Sequence, residues 1–177
     1  MIFDKLFKRG PTRVAGEKLY EVAIGQARQP AFYAVLAAPD TVEGRFELYT
    51  MHVVLLLHRL KGQGAVAAET SQALFDTYLQ ALDHALREMG VGDLSVGKKM
   101  RKLGEAFYGR AKAYQAALEG GDRTALAALI GRTIYAGDTA GAADQLAGYV
   151  DRSAARLATL PLDDVLAARL AWPDIAP

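Results

Sequence analysis

No cysteine occurs among the 177 residues. A structural disulfide, a thiolate metal site and a cysteine nucleophile are therefore all excluded. Long apolar runs are missing as well. The longest is 31–38, against the ~20 residues that a membrane-spanning helix needs. Excess charge of either sign is absent: 21 Lys and Arg face 20 Asp and Glu, for a net charge of +1. Bulk attraction to nucleic acid or anionic membrane is thus excluded, DNA is not an expected partner, and electrostatic targeting must be local. No stretch alternates with period two, and there is no Asn-Gly hairpin signal, internal repeat or domain linker. Residues 1–10 carry no secretory signal. The expected location is the cytoplasm, with the inner face of the cytoplasmic membrane also open to the chain.

What is present is helical. Apolar residues make up 51% of the chain, enough for the core of one domain spanning 1–177. They recur at spacings of three and four between glycine and proline breaks, which predicts an all-α bundle-like domain of seven to eight helices. The expected helices are 14–26, 30–39, 42–61, 67–89, 96–118, 123–136, 139–159 and 163–171. The third is apolar over most of its circumference and reads as the central helix. Asp40 and Thr41 are its candidate N-caps, with Glu43 three residues after Asp40. Gly90 and Gly92 end the fourth helix, Ser95 is the expected cap of the fifth and Asp122 that of the sixth.

Chemistry-bearing patterns are scarce. His52 and His58 are six residues apart, about 240° around a helix, so they cannot share a metal there. His84 is on another helix. A small-molecule or haem-related enzyme would draw on these three histidines, and it is the least supported alternative. The run Gly92-Asp-Leu-Ser-Val-Gly97-Lys98 has the glycine and lysine spacing of a phosphate-binding loop. Lys99 stands where Ser or Thr is needed, and a helix precedes the run where a strand is required. Ser71, Ser95 and Ser153 lie in no nucleophile motif. No catalytic residue, metal ligand or cofactor is expected, so the chain reads as a binding protein.

The segment 83–110 differs in character. Lys98, Arg101, Glu105, Tyr108 and Lys112 recur at spacings of three and four and form one stripe, with Lys99, Lys102 and Arg110 beside it. Asp93 is a candidate for holding backbone amides of the preceding turn. Gly104 and Gly109 each cost ~1 kcal/mol relative to alanine within a helix, which points to close approach of another backbone. These residues are the candidate protein- or ribosome-binding surface. At the N-terminus, Ile2, Phe3, Leu6 and Phe7 share one face and Lys5, Lys8 and Arg9 the other. They are the candidate for a weak membrane-surface contact and support an alternative reading as a peripheral membrane-associated interaction module.

Leu86-Arg-Glu-Met-Gly-Val-Gly-Asp-Leu-Ser-Val-Gly-Lys-Lys-Met-Arg-Lys102 and Glu105-Ala-Phe-Tyr-Gly-Arg110 resemble the ubiquinol–cytochrome c chaperone family. A weaker resemblance covers about 35–155, including Tyr49 and His52. The resemblance implies an all-helical fold and a non-enzymatic role in assembly of ubiquinol–cytochrome c reductase. It also implies cytochrome b, nascent or newly inserted, as client. Mitochondrial members act with a second assembly factor and associate with the translating ribosome. The absence of an organelle-targeting extension makes this chain look like a bacterial member. An apolar client calls for an apolar groove, for which Phe46, Tyr49, Val53, Leu56 and Leu57 are the candidate wall.

Overall fold

Apolar spacing and helix-breaking residues produce eight helices and no strand among the described residues, which in this computed structural model are 10–137 and 140–175. They are α1 (Pro11–Ala27), α2 (Pro30–Ala34), α3 (Val42–Leu60), α4 (Ala65–Glu88), α5 (Asp93–Gly120), α6 (Arg123–Thr133), α7 (Ala140–Thr159) and α8 (Leu162–Leu166). The amphipathic segment with Ile2, Phe3, Lys5, Leu6, Phe7, Lys8 and Arg9 lies outside the described residues. No described helix is long and apolar enough to cross a membrane.

The helix ends follow local chemistry. Thr41 caps α3, its hydroxyl accepting from the Gly44 amide at 3.0 Å. With Thr41 as cap, the third helical residue is Gly44, so Glu43 completes no reciprocal capping pair. Asp40 instead accepts from Arg45 at 2.6 Å. Asp122 caps α6 through the Ala125 amide at 2.8 Å, as expected. α2 is shorter than the sequence suggests. It stops at Ala34, ahead of Pro39, which disfavours helical geometry in the residue before it. α8 also stops early, at Leu166. α5 begins at Asp93 with Gly92 as its cap, so Ser95 falls inside the first turn and caps nothing.

α3 is the centre. Leu48, Met51, Val53, Leu55, Leu56 and Leu60 are all essentially inaccessible, and α1, α4, α5 and α7 pack around it. α6 lies on α7, and α5 also touches α4 and α6. The most extensive pairing is α1 on α4, and Gly16 permits it. A β-carbon there would come within 2.6 Å of Ala73 Cβ and the Leu74 amide nitrogen. One continuous apolar cluster runs from Leu19 of α1 to Val165 of α8.

Candidate interaction surface

The elbow between α4 and α5 is set by two glycines. The amide of Val91 donates to Leu86 O at 3.1 Å and that of Gly90 to Arg87 O at 2.9 Å. This reverse turn needs the left-handed φ of +79° that Gly90 supplies. Gly92 then caps α5, so residues 93–98 of the phosphate-loop-like run are helical and form no loop. Asp93 does not bind backbone amides. Its carboxylate accepts from Arg87, which also donates to Asp83 at 2.6 Å. One guanidinium thereby ties the end of α4 to the start of α5.

Lys98, Lys99, Arg101, Lys102, Glu105, Tyr108 and Lys112 are all exposed. Arg110 is not part of this surface. It turns inward and donates to both oxygens of Glu47, from Nε at 3.0 and 2.9 Å and from Nη2 at 2.6 Å. Glu47 is a buried carboxylate on the central helix α3, and bidentate pairing is what a buried carboxylate requires. Helical spacing alone places Arg110 beside the stripe, because it does not distinguish a flank of a stripe from a side chain that folds under it. A glutamate within an apolar run was the available signal for a buried partner.

The glycines of α5 behave differently from Gly16. A β-carbon at Gly97, Gly104 or Gly109 would meet nothing within 4 Å. The backbone expected to approach Gly104 and Gly109 is therefore not supplied by the described residues of this chain.

An aromatic groove lies where α5 crosses α3 and α4. Leu57, Leu60, Ala68, Phe75, Phe107 and Tyr108 form its apolar side, and Lys61, Gly62, Ser71 and Gln72 complete the lining. The Phe75 ring is 4.8 Å from Phe107 and 5.6 Å from Tyr108, centroid to centroid. Phe107 and Tyr78 are buried, Phe75 and Leu57 are half-buried, and Tyr108 is 64% exposed. Of the groove candidates named from sequence, Leu57 lines this groove. Val53 and Leu56 do not: both are fully buried in the core. Phe46 and Tyr49 are half-buried on another part of α3. The Tyr49 hydroxyl accepts from Arg28 Nε at 2.9 Å, and its ring lies 5.6 Å from the guanidinium carbon. Phe75 was missed because its place on α4 reads equally well as core.

The histidines are dispersed in role. His52 is fully buried. Its Nδ1 is 2.8 Å from Leu48 O, which can only accept, so Nδ1 carries the proton. Its Nε2, 2.9 Å away, then accepts from the Tyr149 hydroxyl, which in turn accepts from Gln26 Nε2 at 3.1 Å. Edge contacts with Phe32 at 5.3 Å and Trp172 at 5.2 Å enclose the ring. Burial pushes His52 down to about 4 and Tyr149 up to about 12, so both are neutral near pH 7. His58 is half-buried, and His84 is exposed beside Glu88 at 3.2 Å. Among the described residues no group of three His, Asp or Glu side chains gathers in a metal-binding arrangement.

Residues 34–172 match the ubiquinol-cytochrome C chaperone family. The crystal structure of the Cbp3 homolog from Brucella abortus superposes with a TM-score of 0.86 at 36% identity, covering 99% of this chain and 98% of that one. The ubiquinol-cytochrome-c reductase complex assembly factor 1 of Xenopus laevis is 22% identical over 123 residues, which are 70% of this chain. The match spans 62% of that relative's own length.

Proposed function

This chain belongs to the ubiquinol-cytochrome C chaperone family, and on that footing we propose that it works by binding, without catalysis, as a chaperone in assembly of the ubiquinol–cytochrome c reductase complex. Its client is cytochrome b, or a nascent part of it. The observation that carries this reading is the groove formed by Leu57, Phe75, Phe107 and Tyr108. A transmembrane client presents apolar helices before its own partners are in place. A folded receptor meets such a helix with contiguous apolar surface, and rings offer large contact area with little loss of side-chain freedom. The translating ribosome and a second assembly factor are the further partners that the family resemblance brings.

A photocrosslinking residue placed at Phe75, in a bacterium making the reductase, is expected to trap cytochrome b. The same residue at exposed Glu21 on α1 is expected to trap none. An apolar helix offers the lysines of α5 nothing to pair with, so the adduct should survive charge reversal at Lys98, Arg101 and Lys102. Absence of a cytochrome b adduct while the complex is being assembled would overturn the assignment.

A further inference from the structure

The groove leaves the basic end of α5 unexplained. Lys98, Lys99, Arg101 and Lys102 fall within 94–104, a stretch with no acidic residue. None of the four has an ion-pair partner among the described residues, whereas the acids of the elbow are engaged. Asp83 and Asp93 are both held by Arg87, and Glu88 lies 3.2 Å from His84. Four cations without partners, and few free carboxylates beside them, form a local anion-attracting surface on a chain whose net charge is only +1.

The same elbow exposes apolar side chains. Leu94, the second residue of α5, is as accessible as in an extended peptide (101%), and Met89 at the end of α4 is 52% exposed. Leu94, Lys98 and Arg101 follow at spacings of four and three, which places them on one helix face. Apolar tips flanked by lysine and arginine suit a medium that is apolar below and anionic above. A membrane surface is such a medium. RNA fits less well, because no aromatic ring occurs in 86–106 and the nearest exposed ring, Tyr108, lies against Phe75 at 5.6 Å in the groove.

We propose that the α4–α5 elbow is a docking site for anionic phospholipid, with Leu94 and Met89 entering the headgroup layer and Lys98, Lys99, Arg101 and Lys102 pairing with lipid phosphates. The site shares no residue with the aromatic groove, and it stands whether or not cytochrome b is the client.

The test is sedimentation of the full chain at low salt with vesicles of equal parts phosphatidylcholine and phosphatidylglycerol, against vesicles of phosphatidylcholine alone. Binding is expected only to the anionic vesicles. Each basic side chain near such a surface contributes roughly fivefold to partitioning, so Lys98→Gln with Lys102→Gln should weaken binding about 25-fold. Leu94→Ser should weaken it roughly tenfold or more. All three side chains are exposed, and unchanged circular-dichroism melting curves are expected for both variants. Failure of the unmodified chain to bind anionic vesicles would overturn the proposal, as would full binding by both variants. Binding lost on removal of residues 1–9 but indifferent to the elbow changes would move the contact to the N-terminus. Tighter binding to single-stranded RNA than to vesicles, unaffected by Leu94→Ser, would make the surface a nucleic-acid site instead.

Discussion

His52 and Tyr108 belong to two regions with opposite habits. Around His52 the chain has buried polar groups and joined them in a directed series, from Gln26 through Tyr149 and the imidazole to Leu48 O. Along the outer side of α5 it leaves an exposed leucine, four cations with no ion-pair partner among the described residues, and a tyrosine ring that meets Phe75 and Phe107 but is otherwise open to solvent. The first region ties α1, α3 and α7 together, since the series takes one residue from each and breaking a buried bond is costly. The second contributes little to folding, because its side chains stay exposed. Glu47 and Arg110 stand between the two, fastening α5 to the central helix while the rest of its outer face stays open.

Breaking that fastening should give the largest effect. Arg110→Ala strands the buried Glu47 carboxylate, and removal of one partner of a buried pair costs about 3 kcal/mol or more. Urea unfolding at neutral pH should show that loss. The double variant Glu47→Gln with Arg110→Met should recover most of it, because no buried charge is then left unpaired. Equal losses in the single and double variants would mean that the side chains matter for packing and not as a pair.

Next in size is a pH effect confined to the His52 region. The unfolded chain takes up a proton on His52 at about pH 6.5, while the folded chain resists it until about 4. Stability from this group is therefore complete above pH 6.5 and is lost as pH falls through that window, by up to about 3 kcal/mol. Protonation would put a second N–H against the Tyr149 hydroxyl and break the series of bonds. Denaturant unfolding between pH 7 and 4 should show a steeper decline for the natural chain than for His52→Gln. Parallel declines would remove His52 as the cause.

The two regions were unequally legible in the sequence. Helix number, the central position of α3 and the capping by Asp122 follow from periodicity and glycine placement, which act locally. Phe75, Arg110 and Trp172 did not reveal themselves, because their roles depend on which helices cross. Phe75 and Phe107 share a groove only after α5 is laid over α4. Trp172 lies beyond the last helix in sequence, yet it closes over His52. Periodicity offers Val53 and Leu56 as groove wall and as core alike, because a helix apolar on most sides looks the same whether its neighbours are its own chain or a client. Ser95 was assigned as a cap because its residue type suits a cap, but α5 starts one turn earlier at Gly92.

The smallest expected effects sharpen the comparison most, because they have opposite signs for one kind of substitution. Gly16→Ala drives a methyl to within 2.6 Å of the α4 backbone. Overpacking of that kind should lower stability by about 1–3 kcal/mol. Gly104→Ala and Gly109→Ala place the methyl in open space on a regular helix. Each should raise stability by up to about 1 kcal/mol, the usual difference between the two residues in a helix interior. If α5 keeps these glycines so that a partner can come close, the same variants should trap less cytochrome b through the crosslinker at Phe75 while melting at higher temperature. More stable variants with undiminished crosslinking would leave the glycines unrelated to client binding, and would confine the contact on α5 to the groove beside Tyr108.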